Sequence, residues 1–486
     1  MNKTVNKRPN FLIFLPDGMQ ADVTFPESEC RTPNFSKLAQ RGMLFRSAHT
    51  VTPTCSPARA SLMTGLLPHN HGVLQVEHCV DEDQSVLRRQ YPHWAQRLQD
   101  SSYRTGYFGK WHIERTNQLE DFGWEINGCN ENAAFRGIGA GDVGAEPLLT
   151  ETSQAHYETT PEGYNPVLHY GITDVPSDGR EFAATTGRAQ EFLTESMGQP
   201  APWACCVSYA EPNVPLICGR EAFEQYDLDA LRLPGNLHDA FAQSPALYRR
   251  QKAILDHLSD HDWKELRAVY YALVSELDRE FGKLLEQLEE AGELDNTYVI
   301  VVSDHGRYVG GHGYDHHNFG PFEEIYRIPL IISGPGVAQG EETKALVSLV
   351  DLCPTIIELA DAEPISGVDS QSFTSLLRDP RGESARYSTS HAEFHGTRFT
   401  LEQRIVWQGK WKFVFNGFDY DELYNLEEDP LELNNLAFDP TQRDRMKELM
   451  TEIWKNVHAT NDRALLETHY SPMRMAVVGP NAAIKQ

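Results

Sequence analysis

The sequence lacks the features that mark several classes of protein. Its eight cysteines include no CxxC pair and no zinc-type spacing, so neither a disulfide framework nor a structural zinc site is expected. The apolar run near its start, FLIFLP, is only six residues long, which is too short for a membrane span or a secretory signal. We therefore expect a cytoplasmic protein with no membrane partner, or a periplasmic or secreted one if a leader has been removed.

Positive charge is also scarce. The chain carries 43 lysines and arginines against 70 aspartates and glutamates, a formal net charge of −27 at pH 7. A chain this acidic repels nucleic acid and anionic membranes at long range, so we expect neither as a partner. An anionic substrate would have to be met by cationic side chains gathered at one pocket.

Strand-like and helical patterns alternate up to about residue 365. Apolar runs typical of buried parallel strands occur at 10–16, 203–209 and 297–303, and a long amphipathic helix spans 262–291. This alternation predicts an α/β fold in which helices cover both faces of a large, mostly parallel sheet.

The pattern changes in the last quarter of the chain. Residues 404–416 alternate like an antiparallel hairpin and 440–457 like a final helix. We therefore divide the chain into a main α/β domain, 1–370, and a smaller C-terminal α+β subdomain, 371–486.

Three local predictions concern the first half of the chain. An amphipathic pattern predicts a helix over 34–44, and another helix is expected from residue 60. The stretch 115–180 is rich in Gly, Asn, Thr, Pro and acidic residues, with little periodicity. We expect it to form long loops that shape a binding pocket.

Two acidic residues follow apolar strands directly. Asp17 comes after FLIFLP, and Asp304 comes after TYVIVVS with His305 beside it. Ligands gather at the carboxyl ends of strands in open α/β sheets. A lone carboxylate there is often a turn residue, but these three together predict a metal site rich in oxygen ligands.

The segment 55–65, CSPARASLMTG, carries the strongest chemical signal. It presents a nucleophile at the start of a helix, where backbone N–H groups favour an anionic group. Arg59 lies one turn later and offers a planar fork of donors to sulfate or phosphate oxygens. An unmodified Cys55 could itself be a nucleophile, and a buried structural cysteine is the alternative.

This segment resembles the C-x-P-x-R signature of the formylglycine-dependent sulfatases. Further segments in chain order resemble that family too: RPNFLIFLPDG (8–18), LLPHNHGV (66–73), GYFGKWHI (106–113), SDHGRYVGGHG (303–313), EEIYRIPLIISGPG (323–336) and DELYNLEEDPLELNNLA (421–437). The resemblance covers nearly the whole chain. It implies an alkaline phosphatase-like fold and the hydrolysis of a sulfate ester.

The resemblance also implies cofactors and their ligands. A maturation enzyme would convert Cys55 into formylglycine, whose hydrated aldehyde attacks sulfur. One divalent cation, expected to be calcium, would be held by Asp17, Asp304, His305 and residue 55.

Three more residues receive roles from the same motifs. Arg59 and Lys110 would neutralise the sulfuryl oxygens. His112 would assist proton transfer at the formylglycine hydroxyls.

The chain departs from the family pattern after its first strand. The family has two consecutive acids there, and this chain has Asp17 followed by Gly18. A water, Gln20 or Asp22 could replace the missing ligand. Relatives that hydrolyse phosphonate monoesters or choline sulfate also lack the second acid.

Two other departures concern substrate contacts. In SYAEPNVPL, Asn213 stands where many sulfatases have histidine; its amide can bind sulfate but cannot transfer a proton. In YDHHNFGPF, His317 falls at the position of the usual lysine and would protonate the leaving oxygen. A shift of one residue would select His316 or Asn318 instead, so His316 is kept as a candidate substrate contact.

The preferred interpretation is a sulfuric ester hydrolase that acts on a small or carbohydrate sulfate ester, with a sulfated carbohydrate as the first candidate substrate. The nearest alternative is a phosphonate monoester or phosphodiester hydrolase on the same scaffold. A catalytically silent sulfate-binding protein is the alternative from another class.

Overall fold

The computed structural model describes residues 8–129, 149–397, 399–466 and 469–484. The residues 130–148 of the long stretch 115–180 lie outside the described residues. Among those described, the strands are β1 (Asn10–Leu15), β2 (Met43–Phe45), β3 (Ala48–His49), β4 (Arg104–Gly109), β5 (Ile126–Cys129), β6 (Gln154–Glu158), β7 (Val167–Thr173), β8 (Trp203–Ser208), β9 (Leu216–Gly219), β10 (Thr297–Val302), β11 (Tyr308–Val309), β12 (Asp315–His316), β13 (Leu330–Ser333), β14 (Glu341–Thr343), β15 (Val347–Ser348), β16 (Thr389–Phe394), β17 (Gln403–Gln408), β18 (Trp411–Asn416) and β19 (Glu422–Asn425).

The α-helices of the same residues are α1 (Pro33–Arg41), α2 (Cys55–Thr64), α3 (Pro68–His71), α4 (Trp94–Asp100), α5 (Glu181–Met197), α6 (Arg220–Phe223), α7 (Ala246–Lys252), α8 (Asp260–Glu290), α9 (Glu323–Tyr326), α10 (Leu352–Leu359), α11 (Thr374–Arg378), α12 (Pro380–Glu383), α13 (Arg443–Ala459) and α14 (Arg463–Leu466). Within the described ranges, none of them combines the length and apolar composition that a membrane span needs.

The central sheet has eight strands in the order β14-β2-β13-β10-β1-β8-β4-β5. The five strands from β10 to β5 in this order all pair in parallel. Only β13 runs antiparallel to its neighbours β10 and β2. The predicted α/β class with a mostly parallel sheet is confirmed.

Helices cover both faces of this sheet. Successive side chains of a strand point to opposite faces, and β1 divides accordingly: Leu12 and Phe14 pack in one buried cluster, and Phe11 and Ile13 in another. The first cluster includes apolar residues of α1, α5 and α8, and the second includes those of α2, α4 and α10. β1 is therefore buried on both sides, as its continuous apolar sequence predicts.

A second, antiparallel sheet of four strands, β16-β17-β18-β19, lies in the C-terminal part. Its apolar residues, among them Val406 and Phe413, pack against Leu449 and Ile453 of α13. The expected C-terminal α+β subdomain is thus present, while its boundary at residue 370 stays a prediction.

Three local expectations were wrong. The helix expected over 34–44 ends at Arg41, and Met43–Phe45 form β2 of the central sheet. The helix expected from residue 60 already begins at Cys55, which confirms the expectation that Cys55 stands at the start of a helix. The stretch 115–180 is not all loop, since it contains β5, β6 and β7.

Candidate active site

The register of two strands brings the predicted carboxylates together. β1 and β10 pair in parallel with Asn10 opposite Thr297, and the same register, extended beyond both strands, sets Asp17 beside Asp304. Both side chains are fully buried. The Gly18 N–H donates to Asp304 Oδ1 at 3.1 Å, which holds the two segments against each other.

Cys55 is the first residue of α2 and faces the same point. Thr54 before it is extended, and Pro57 is tolerated because the first helical turn needs no N–H from it. Cys55 Sγ lies 3.3 Å from His305 Nε2 and 3.9 Å from Asp17 Oδ1. The residue is only 4% exposed.

The four predicted metal ligands form one group. Single ligand atoms of Asp17, Cys55, Asp304 and His305 all lie within 4.8 Å of one another. His305 Nδ1 lies 2.8 Å from the Gly306 carbonyl oxygen, to which it donates in the tautomer that leaves the Nε2 lone pair facing the group. Two carboxylates, an imidazole and residue 55 thus make a donor set that fits a divalent cation.

Arg59 connects the two carboxylates of the group through hydrogen bonds. Its Nε donates to Asp304 Oδ2 at 2.7 Å, its Nη2 to Asp17 Oδ2 at 3.2 Å, and its Nη1 to Ser208 Oγ at 2.8 Å. The guanidinium is fully buried. Each of its three nitrogens therefore holds a protein group in a fixed direction.

Lys110 follows the end of β4 and donates to Asp17 Oδ2 at 2.6 Å. Burial opposes ionisation of Asp17, but Lys110 and Arg59 outweigh it and hold the pKa of that carboxyl well below its usual range. Burial and the neighbouring Asp17 raise the pKa of Asp304. Burial and Asp17 also raise the pKa of the Cys55 thiol well above its usual value.

The adjacent residues His316 and His317 lie in different surroundings. His317 Nε2 lies 3.6 Å from Cys55 Sγ, and its ring stacks on His305 with 4.0 Å between centroids. Burial and His305 lower its pKa well below the usual value. His316 turns away: its Nδ1 lies 3.7 Å from Asp315 Oδ2, and its side chain is 45% exposed.

Asn213 contacts the group directly, whereas His112 contacts His78. The Asn213 amide donates to Asp17 Oδ1 at 2.6 Å and lies 3.9 Å from Cys55 Sγ. His112 has a φ of +54°, a left-handed conformation that costs energy in a non-glycine residue. Its Nε2 lies 3.1 Å from His78 Nδ1. Burial and Lys110 lower the pKa of His112 well below its usual value.

The two side chains suggested for the missing acid are engaged elsewhere. The Gln20 amide donates to the Arg307 carbonyl oxygen at 2.6 Å. Asp22 pairs with Arg327 at 2.6 Å, and its side chain is 64% exposed. These contacts do not test whether the Gln20 side-chain oxygen could act as a ligand, so the suggestion that a water, Gln20 or Asp22 replaces the missing acid stays a prediction.

Two features of the site were missed in the sequence. Ser208 ends β8 and accepts from Arg59, and the rule that ligands lie at strand ends, applied to β8, would have found it. The second is the buried pair Arg307 and Asp315, joined by two hydrogen bonds next to His316. The sequence around Arg307 and Asp315 carries no comparable signal.

The chain resembles known proteins over most of its length. The chain matches the family described as Sulfatase over residues 9–362, and the one described as N-sulphoglucosamine sulphohydrolase, C-terminal, over residues 310–459. The uncharacterized sulfatase YidJ of Escherichia coli (strain K12) is 29% identical over 440 residues, which cover 89% of this chain and 84% of YidJ. The choline-sulfatase of Rhizobium meliloti (strain 1021) is 28% identical over 464 residues, covering 89% and 83%.

Solved structures share the fold. The phosphonate monoester hydrolase SpPMH from Silicibacter pomeroyi superposes with a TM-score of 0.75 at 22% identity and covers 96% of this chain and 98% of its own. The structure of BT4656 in complex with its substrate D-glucosamine-2-N,6-O-disulfate gives 0.73 at 18% identity, covering 96% and 100%. Because the first family match spans well over half of the chain, the protein belongs to the sulfatase family of the alkaline phosphatase superfamily, whose activity is the hydrolysis of sulfate esters.

Proposed function

We propose that the chain removes sulfate from a small or carbohydrate sulfate ester, with formylglycine made from Cys55 as its nucleophile. The observation that carries this proposal is the buried convergence of Cys55, Asp17, Asp304 and His305 at the edge of the sheet. A nucleophile beside a cation-binding donor set is what attack on an anionic ester requires.

The proposed cofactor is one divalent cation held by Asp17, Asp304, His305 and residue 55. When bound, it would supply Lewis-acid polarisation and neutralise charge. Calcium is the ion that the resemblance implies, although an imidazole ligand and only two carboxylates also suit manganese. Elemental analysis of the purified protein identifies the ion, and a protein without any stoichiometric divalent metal would contradict the proposal.

The surrounding side chains divide the remaining work. Arg59 orients the two carboxylates and, with Lys110, lends positive charge to the sulfuryl oxygens. Asn213 can donate its amide to a sulfate oxygen. His112 is the proposed proton carrier at the nucleophile, and His317, close to residue 55, the proposed donor to the leaving oxygen. His316, which is half-exposed, is left as a contact for the rest of the substrate.

The modification itself can be measured. A maturation enzyme that converts Cys55 into formylglycine makes the peptide about 18 Da lighter, because CH₂SH becomes CHO. We expect this mass in protein made alongside an active maturation system, and we expect Cys55→Ala to lose turnover of an aryl sulfate. Full maturation without turnover of any sulfate ester would favour a silent sulfate-binding protein.

One observation favours a second candidate function. The position after Asp17 is Gly18, which contributes no carboxylate to the donor set, and one structural neighbour is described as a phosphonate monoester hydrolase. An aryl sulfate and an aryl phosphonate with the same leaving group separate the two functions. A kcat/KM that is much higher for the phosphonate would assign the chain to phosphonate hydrolysis.

The substrate class is proposed as a sulfated carbohydrate. Asn213, which is only partly buried, can donate its amide to a polar ligand, and one structural neighbour is described with D-glucosamine-2-N,6-O-disulfate as its substrate. A panel of defined sulfated sugars, with choline sulfate and an aryl sulfate beside them, tests this. Desulfation followed by mass spectrometry would identify the preferred class.

A further inference from the structure

Three side chains of the types that bind metals lie close together near the active site without belonging to its four-ligand group. They are Glu77 and His78, which lie together in a single 3-10 turn, and His112, which follows β4. We call them the His–Glu triad. Glu77 and His112 are buried at 5% and 6% exposure, while the His78 side chain is 15% exposed and opens the triad toward solvent.

The three donor atoms lie close together. His78 Nδ1 lies 2.9 Å from Glu77 Oε2 and 3.1 Å from His112 Nε2, and the remaining side of the triangle, from His112 Nε2 to Glu77 Oε2, is 3.9 Å. A circle through three atoms at these separations has a radius of about 2.0 Å, and Zn–N and Zn–O bonds measure about 2.0–2.2 Å. One ion could therefore contact all three atoms without any side chain moving far.

The hydrogen-bonding capacity of His78 Nδ1 is too small for its two neighbours. His78 Nδ1 carries at most one hydrogen, yet it has two partners, Glu77 Oε2 and His112 Nε2, on that same atom. A divalent cation satisfies all three atoms at once.

From this geometry we propose that the His–Glu triad is a second metal site, which takes a divalent transition-metal ion of the zinc type. Two imidazoles and one carboxylate are a donor set for zinc, nickel, copper or iron rather than for calcium or magnesium. The triad thus differs in chemistry from the carboxylate-rich group around Asp17 and Asp304.

Occupation of the triad would inhibit the enzyme. A bound ion uses the Nε2 lone pair of His112, and that nitrogen is then unable to accept a proton. This part rests on the proposed role of His112 in proton transfer. The metal site itself rests only on the positions of the three side chains.

The binding experiment uses the full-length chain, saturated with calcium to fill the carboxylate-rich group. Zinc is then titrated in competition with a chromophoric chelator. We expect one tight zinc ion per chain that is lost, or weakened by about 100-fold or more, in His78→Ala and in the conservative Glu77→Gln. His238→Ala is the matched control, since its side chain is 78% exposed, and it should bind zinc like the wild type.

Two further arms keep the result interpretable. Melting temperatures establish that the variants fold, and Cys55→Ala, which removes the thiol of the neighbouring group, should retain the zinc ion. Equal zinc stoichiometry and affinity in the wild type, His78→Ala and Glu77→Gln would overturn the site.

With matured enzyme, zinc should inhibit aryl sulfate turnover in the wild type and much less in His78→Ala. Zinc that binds at the triad and leaves turnover unchanged would overturn the inhibitory role alone.

Discussion

At the scale of single residues, Arg59 fixes the positions of the two carboxylates of the site. It joins Asp17, Asp304 and Ser208 through three different nitrogens. These directions are fixed by the planar guanidinium, and a lysine ammonium cannot reproduce them. The two carboxylates would otherwise repel each other in a buried space.

Arg59→Lys should therefore lose turnover by about 100-fold or more. It should also lower the free energy of unfolding by about 2–4 kcal/mol, because charge-assisted hydrogen bonds are lost in the interior. Steady-state kinetics and urea denaturation measure the two effects. Arg41→Lys is the control: Arg41 pairs with Asp295, whose side chain is 94% exposed, and we expect less than about 0.5 kcal/mol. An active, stable Arg59→Lys protein would refute this view of the site.

The two adjacent histidines make a second test at this scale. His317 lies 3.6 Å from Cys55 Sγ, whereas His316 faces Asp315. If His317 protonates the leaving oxygen, His317→Gln should lower kcat by about 100-fold for an alkyl sulfate and much less for an aryl sulfate with a good leaving group. His316→Gln should reduce both rates alike, mainly through KM. The reverse pattern would indicate that His316, and not His317, is the proton donor.

At the scale of elements, the end of β4 determines where Lys110 lies. Gly109 has a φ of +93°, and a Cβ there would meet the Ser208 carbonyl oxygen at 1.8 Å. The same oxygen accepts from the Lys110 N–H at 3.0 Å. β4 and β8 can approach this closely only because the residue has no side chain.

Gly109→Ala should therefore displace Lys110 and reduce both activity and stability, the latter by about 3 kcal/mol or more. Gly163→Ala is a matched control, since Gly163 has a φ of +94° with nothing within 4 Å of the added Cβ. It shares the conformational strain of about 1 kcal/mol and lacks the clash. Thermal unfolding and aryl sulfate kinetics compare the two variants. Similar losses in both would leave backbone strain as the whole explanation.

A buried charge network joins α3 to the C-terminal sheet. His395 Nε2 lies 3.2 Å from Glu393 Oε1 and its Nδ1 lies 3.0 Å from Glu402 Oε1. Glu393 also contacts His69 at 2.7 Å, and Arg404 faces the same carboxylates. Burial and Arg404 oppose protonation, but Glu393 and Glu402 outweigh them and raise the pKa of His395 to about 9.

Because this pKa is above that of an unfolded histidine, about 6.5, the network's contribution is complete below pH 6.5 and is lost as pH rises through 9. The difference corresponds to about 3 kcal/mol. Urea denaturation of His395→Gln should show a loss of this order at pH 6 that shrinks toward pH 9.5. His238→Gln, at an exposed position, should show no such trend. A loss that is the same at both pH values would exclude the protonated histidine as its source.

Particular residues explain what the sequence could and could not predict. Asp17 and Asp304 were predictable because both follow apolar strands, and parallel strands end at one edge of a sheet. The end of α1 was not predictable, because it depends on Gly42. A Cβ at this position would lie 2.1 Å from the Ile332 carbonyl oxygen. Such a contact between distant segments leaves no periodic pattern. The contact between His78 and His112 depends on tertiary structure in the same way.

At the scale of the whole molecule, net charge opposes the proposed substrates. The chain carries −27, and Arg59 and Lys110, the cations proposed to meet the ester, are buried inside the site. A sulfated sugar therefore approaches through a repulsive field that salt can screen.

Between about 0.01 M and 0.1 M salt the screening length falls from about 30 Å to about 10 Å. We expect kcat/KM for a disulfated sugar to rise several-fold over this range. Choline sulfate, which has no net charge, is the control and should change little. A kcat/KM for the disulfated sugar that falls with salt would mean that an attractive local field dominates its approach.

The near-complete burial of Cys55 bears on when the proposed oxidation of its thiol could take place. His305 and His317, which close over its sulfur, come 250 and 262 positions later in the chain. A ribosome releases residue 55 well before them, so the proposed oxidation of the thiol would be easiest before β10 joins β1. On that proposal, protein that completes its fold first would keep its thiol, and the yield of active enzyme would depend on the relative rates of oxidation and folding.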